Sequence, residues 1–278
     1  MSTLAAPLAP TMPAPFLRPA LARWALGLLL LLALVLPAAA WASIGSIERL
    51  KGTVQVLGTG GWRTASLGEK LAQGERVNTA EASEAVIRFS DGALMALRPK
   101  TQVQVTRYQY QQDAPRQNAS VLQLVTGGFR FVTGLMGKAT PDAVRMTTPT
   151  ATIGIRGTDF ETEYVDERRN GSEAGTYTRV IEGGTFLETG DGKRIDVDAG
   201  QTAFATSAEL VSRGLASAVQ LGVIQDPKGI FRGGSFDSVL QNLQQEGLNR
   251  LQQELQKKAP SQLQNVLPGL LNDVFKSR

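Results

Sequence analysis

The stretch with the clearest chemical potential is TTPTATIGIRGTDFETEYVD, at positions 147–166. Its centre carries one arginine, Arg156, which could face an anionic ligand such as a carboxylate of the peptidoglycan type. GIRGTDF lacks the Lys-Ser/Thr ending of a phosphate loop and precedes no helical pattern, so we do not predict a nucleotide site. Arg156 is therefore the one candidate binding residue, weighed against a purely structural turn.

The structural interpretation of this stretch is a strand, a tight turn and a second strand. Apolar residues alternate with small or polar ones, which predicts that Ile153 and Ile155 point inward. A proline begins the strand, a small residue lets a neighbouring backbone approach, a glycine permits positive φ, a threonine hydroxyl caps the turn, and an aromatic ring returns to the core. These roles fall on Pro149, Gly154, Gly157, Thr158 and Phe160.

Acidic residues follow the turn at alternate positions. Asp159, Glu161 and Glu163 share one strand face, where three like charges need either solvent or a cation, and we expect solvent. Glu161 with Asp166 would form a glycosidase-like carboxylate pair only beside a cleft, which the pattern does not indicate. The expectation is a solvated strand face.

A second acidic pair, Asp196 and Asp198, also lies on one strand face. It could contribute to a calcium site, but calcium needs more oxygen ligands than these two carboxylates supply. We predict no metal site and no cofactor.

Composition argues against catalysis. The 278 residues include no cysteine and no histidine, which excludes a thiol nucleophile and removes the commonest general base and metal ligand. The net charge of +4 is small and no basic stripe stands out, so nucleic acid is not an expected partner. We predict a protein that is not an enzyme and has no catalytic residues.

Residues 1–42 have the pattern of a secretory signal peptide. Arginines precede the apolar run Ala25–Leu36, and Ala40 and Ala42 satisfy the A-x-A cleavage rule. Cleavage after Ala42 would leave a periplasmic or secreted protein with no stable membrane span. The alternative is an uncut N-terminal anchor.

Residues 43–205 read as a mainly β domain. Short alternating segments are separated by Gly-containing turns, which predicts stacked, glycine-hinged hairpins in a β-sandwich or β-solenoid-like arrangement. The segment at 133–143 is expected to expose Leu135 and Met136 as a flap. The predicted hairpin turns lie at Asp91-Gly92, Gly127-Gly128, Gly183-Gly184 and Asp191-Gly192.

Residues 206–278 are predicted to form a helical C-terminal extension. Helical spacing runs through 207–224, 236–259 and 261–278. These helices could pack on the β-domain, pair with each other, or mediate oligomerisation or docking to a partner.

Four blocks, in order, resemble the FecR family between Leu71 and Thr189. The resemblance implies an extracytoplasmic β-domain that acts by binding. The blocks are GERVNTAEASEAVIRFSDGALMALRPKTQVQV, VLQLVTGGFRFVTG, VRMTTPTATIGIRGTDFETEYVD and TRVIEGGTFLET.

Family members that act as anti-sigma regulators carry a cytoplasmic helical domain before one transmembrane helix, where this sequence has a signal peptide. We therefore expect a binding or signalling module that recognises an envelope protein or a glycan. The alternatives are an envelope assembly protein that uses its C-terminal helices and a membrane-anchored anti-sigma-type regulator.

Overall fold

The computed structural model describes residues 43–168, 171–231 and 233–258. As predicted, this part of the chain is mainly β. Its strands are β1 Gly45–Lys51, β2 Val54–Gly58, β3 Gly61–Thr64, β4 Lys70–Leu71, β5 Arg76–Thr79, β6 Glu84–Phe89, β7 Leu94–Leu97, β8 Gln102–Gln109, β9 Ala119–Val132, β10 Val144–Thr147, β11 Thr152–Ile155, β12 Asp159–Val165, β13 Gly175–Glu182, β14 Gly184–Glu188, β15 Arg194–Asp198, β16 Thr202–Ala205 and β17 Leu221–Ile224.

Helices are few among the described residues. Two 3₁₀ turns cover Pro115–Gln117 and Pro141–Ala143. The α-helices are α1 Leu135–Ala139, α2 Ala208–Ser212 and α3 Asp237–Lys258.

The strands make one large, open, mixed sheet with two arms that share β9. The first arm has the order β4–β1–β6–β7–β9–β12–β13–β16–β17. The second arm has the order β3–β2–β5–β8–β9–β10–β11–β14–β15. The pairing of β9 with β10 is parallel, and the other pairings within the described strands are antiparallel.

The predicted hairpin turn at Gly127-Gly128 is wrong. β9 is a single strand that pairs with β8 and β10 through its first part and with β7 and β12 through its second. Gly127 has φ +79°, and a Cβ there would lie 2.6 Å from the backbone of Thr101. A glycine pair that looks like a hairpin turn in sequence is here the bend at which one strand changes ladders.

The other predicted turns divide into two kinds. Asp91-Gly92 joins β6 to β7 and Asp191-Gly192 joins β14 to β15, as the hairpin prediction requires. Gly183 is different, because β13 pairs with β12 and β16 whereas β14 pairs with β11 and β15. At Gly183, φ +77°, the chain crosses from the first arm to the second.

The core lies between the two arms. Buried side chains from both arms form one hydrophobic cluster, and each fully buried aliphatic or aromatic side chain contributes about 1.5–3 kcal/mol. Representative members are Ile47, Ile87, Met95 and Phe160 from the first arm and Val56, Leu122, Ile153 and Leu187 from the second.

The C-terminal prediction is right for one segment and wrong for part of another. α3 follows the predicted helix at 236–259 closely. The helix predicted over 207–224 stops at Ser212, because Gly214 adopts φ +71° and Leu221–Ile224 then pairs with β16. The helix predicted at 261–278 lies outside the described residues.

The flap predicted at 133–143 is not an exposed loop. α1 occupies its centre, and Met136 is 1% exposed. The backbone N–H of Leu135 donates to the carbonyl of Asp91 at 2.9 Å, which fixes the start of the helix.

Within the described ranges, no helix combines the length and the apolarity needed to cross a membrane. The predicted signal peptide at 1–42, with Ala40 and Ala42, lies outside those ranges.

Candidate functional site

The Arg-Gly-Thr segment is the crossing from the second arm to the first. β11 ends at Ile155 and β12 begins at Asp159, and Gly157 between them has φ +68°. The hydrogen bonds that fix this turn come from the side chain of Thr133, directly after β9, and not from the Thr158 side chain as predicted. The Thr133 hydroxyl accepts from the Thr158 N–H at 2.9 Å and donates to the Thr158 carbonyl at 2.7 Å.

The flanking residues have local packing roles. Pro149 is exposed in the turn between β10 and β11, so it precedes the strand instead of starting it. Phe160 is fully buried, with its ring centroid 5.9 Å from that of Phe131.

The missing side chain of Gly154 makes room for the aromatic ring of Phe186. The sequence had instead predicted that a neighbouring backbone approaches at this position. A Cβ at Gly154 would lie 2.0 Å from the ring of Phe186, its cross-strand partner on β14. Arg145 and Arg194 lie over the Phe186 ring at 4.8 and 3.5 Å from its centroid. The glycine therefore allows a cation–aromatic stack on the outer face of the second arm.

Arg156 forms ion pairs with Asp196 and Asp198, the acidic pair considered above as a contributor to a calcium site. Its guanidinium lies 3.8 Å from the Asp196 carboxylate and 3.3 Å from the Asp198 carboxylate. The Arg156 side chain is 44% exposed, so each ion pair contributes about 0–1 kcal/mol. Within the part of the chain that the structure describes, no group of three or more acidic residues could hold a metal ion.

Two of the three acidic residues on this face of β12 are buried, contrary to the expectation of a solvated face. Asp159 is 8% exposed and Glu161 is 4% exposed. β12 lies between β9 and β13 in the middle of the first arm, and the C-terminal segment covers it from outside. A buried carboxylate needs paired charge and hydrogen bonds, which neighbouring strands supply.

We name the resulting group the ionic cluster: Arg98, Arg130, Asp159, Glu161 and Arg179. Arg130 makes a two-pronged contact with Asp159 at 2.8 and 2.6 Å. The hydrogen bond to Asp159 raises the pKa of Arg130 above its ordinary value. Glu161 accepts from Arg98 at 2.5 Å and from Arg179 through its other oxygen.

The ionic cluster extends into the C-terminal segment. Arg98 donates to Asp237, at the start of α3, at 2.6 Å. Arg179 donates to Asp226 at 2.8 Å and lies 4.6 Å from the centroid of the Phe231 ring. Each of these arginines therefore bridges β12 and the C-terminal segment.

An apolar patch lies beside the ionic cluster on the same outer face. Leu240 and Leu243 of α3 pack on it and are buried. The sequence contains a signal for burial of this outer face. AVI in β6 and ALMAL before Arg98 are nearly continuous apolar runs, which are typical of strands buried on both faces. The apolar patch consists of Val86, Leu94, Ala96 and Val132.

Two further side chains of β6 hold the C-terminal segment. Glu84 accepts from the N–H of Ser235 at 2.7 Å and from its hydroxyl at 2.8 Å. Arg88 pairs with Glu48 at 3.2 Å and donates to the Leu243 carbonyl at 2.8 Å. Among the described residues, no hydrogen-bond partner is found for the buried Nη1 of Arg88.

Asp91 is a buried carboxyl that sequence reasoning treated as a turn residue. It accepts from the Tyr108 hydroxyl at 2.9 Å, the Ala93 N–H at 3.2 Å and the Met136 N–H at 3.1 Å. Burial raises the pKa of Asp91, although these hydrogen bonds oppose the shift. Asp91 therefore organises the β6–β7 turn and α1 from inside the protein.

The fold and this face define a β-domain whose outer surface is closed by its own C-terminal segment. Residues 75–185 match the family model described as FecR protein. The matched range covers less than half of the chain, and its bounds lie close to those of the predicted resemblance.

Comparison with solved structures adds weaker likenesses. Two crystal structures of a proposed anti-sigma factor from Parabacteroides distasonis ATCC 8503 align at 10% identity with TM-scores of 0.38 and 0.39. The alignments cover 54% of this chain, which spans 59% of those chains. A cell surface anchoring domain aligns over 22% of this chain and 83% of its own length, at 32% identity and a TM-score of 0.22. No curated protein matches the chain.

Proposed function

We propose that the chain is a non-enzymatic, extracytoplasmic FecR-type module that binds an envelope protein or a glycan and acts in signalling. The observation that carries this proposal is the FecR domain at 75–185, because the family is regulatory and non-catalytic. The two arms, which enclose one core, would serve as a rigid scaffold for recognition.

The pairing of the buried carboxylates with arginines supports a binding function over a catalytic one. Asp159 and Glu161, the most buried acids of the Arg-Gly-Thr stretch, are both held by arginines. A general base must be free to accept a proton from a substrate, and a carboxylate locked in a two-pronged arginine contact is not. Turnover would have to come from groups elsewhere in the chain.

The test of partner class uses the chain from residue 43 as bait in cell-envelope extract, with chemical cross-linking before capture. Parallel arms use extract treated with protease and extract treated with glycan hydrolase. Loss of capture after protease identifies a protein partner, and loss after glycan hydrolysis identifies a glycan. Absence of specific capture in every arm would contradict the proposal.

Localisation is tested independently. We propose a periplasmic or secreted protein that is cleaved after Ala42. Cell fractionation with N-terminal sequencing should find a protein that begins at Ser43 outside the membrane fraction. A membrane-bound protein that keeps residues 1–42 would favour the anchored regulator instead.

A further inference from the structure

The outer face of the first arm has the properties of a docking surface for a helix. Its apolar patch and ionic cluster are contributed by residues of the FecR domain. The chain that covers them, which we call the strap, comprises residues 226–231 and 233–247 and lies outside the family match. A FecR domain without this strap would leave a mixed apolar and charged face open, which is typical of an interaction site.

The strap shows what chemistry this surface accepts. An acid at the first turn of α3, Asp237, meets Arg98, and leucines three and six positions later fill the apolar patch. Residues at these spacings share one helix face, so the contact is a helix laid on a groove.

The hold of the strap on this surface is limited. Beyond Gly247 the described side chains of α3, at Asn249, Arg250 and Gln253, are exposed. Leu240 and Leu243, the partly buried Phe236 and Val239, and a few polar and charged contacts make this cover, and a ligand that forms more contacts could displace it.

We propose that this surface is the partner-binding site of the FecR domain and that the strap occupies it in the absence of a partner. The partner presents an amphipathic helix with an acid in its first turn and leucine-sized residues three and six positions later. This inference rests on the proposed binding function and names the surface that performs it.

The experiment first releases the strap in the otherwise complete chain. The double variant L240D/L243D places carboxylates against the apolar patch, where they cannot be buried, so α3 detaches. Hydrogen exchange should accelerate in 237–247 and stay slow in β9. The released protein is then titrated with a fluorescent peptide of residues 234–250, which serves as the helix probe.

We expect the peptide to bind the released variant and to bind the wild-type chain at least about tenfold more weakly, because the strap competes. A D237N peptide should bind about 30-fold more weakly, because Arg98 loses its partner. An L240A/L243A peptide should not bind, and an N242A peptide, changed at an exposed position, should bind as the original does.

Failure of the original peptide to bind the released variant would overturn the inference, as would equal binding of the L240A/L243A peptide. Because the titration uses no envelope material, a failed pull-down with successful peptide binding would count against the proposed function alone. If size-exclusion chromatography shows that the released variant pairs with a second copy of itself, the proposal of a separate partner helix is overturned, because another molecule of this chain would then occupy the surface.

Discussion

At the residue scale, two arginines with similar partners differ in surroundings. Arg98 and Arg156 each contact two carboxylates. The Arg98 side chain is 10% exposed and that of Arg156 is 44% exposed. A charge pair removed from water is costly to break, whereas an exposed pair is screened. The two positions therefore allow the stability contribution of a buried arginine to be compared with that of an exposed arginine in the same protein.

Replacing Arg98 with methionine should lower the free energy of unfolding by about 2–3 kcal/mol, because Glu161 and Asp237 lose a buried counter-charge. The matched variant R156M should cost less than about 1 kcal/mol. Urea unfolding of both variants measures the difference. Equal losses would show that burial of the ionic cluster carries no extra stability.

Asp91 gives the protein a pH dependence of defined sign. Because the native carboxyl has a raised pKa, the folded state binds this proton more tightly than the unfolded state, where the value is about 3.9. Stability should therefore fall as pH rises from about 3.9 through the native value. D91N should remove this contribution, so its stability relative to wild type should increase with pH. Urea unfolding between pH 3.5 and 8 tests this, and a constant difference would contradict it.

At the element scale, the bend in β9 can be separated from ordinary glycine turns. Gly127 and Gly157 both have positive φ, but a Cβ at Gly157 would meet nothing within 4 Å. G157A should cost about 1 kcal/mol, the penalty for a left-handed alanine. G127A should cost at least about 3 kcal/mol, because its Cβ also overlaps the backbone at Thr101. Thermal unfolding of both variants measures the steric part, and similar losses would argue against the crossing.

The sequence predicted elements better than their pairing. Alternation in GTVQVLG and the Asp-Gly signals located strands and two hairpins, because period and turn chemistry are local properties. Gly127 and Gly183 could not be told from hairpin turns, since both uses need the same backbone freedom. Whether a strand changes ladders depends on distant partners.

The candidate site was predicted only in part for the same reason. The sequence placed Asp159 and Glu161 on one strand face but left them solvated, because their arginine partners lie in β9, in β13 and directly after β7. It also separated Arg156 from Asp198, which lie 42 positions apart and meet across the second arm. Pairing of distant charges is a tertiary property that spacing along one strand does not contain.

At the scale of the whole molecule, the strap determines how much apolar surface the protein exposes. A chain of residues 43–234 keeps β17 but lacks α3, so its apolar patch would face water. We expect stronger binding of a hydrophobic dye and a lower melting temperature than for a chain of residues 43–258. Size-exclusion chromatography should also show self-association of the shorter chain. Identical behaviour of the two chains would mean that α3 contributes nothing to closing this face.

β9 sets the order in which the polypeptide can acquire its structure. During synthesis, the partners of β7 and β8 on this strand are not complete until residue 132 has emerged. Until then both ladders end in open edges, which are prone to pair with other molecules. Because β9 also pairs with β10 and β12, its own edges stay open until β12 has emerged, and the nascent protein should become resistant to aggregation only after that point.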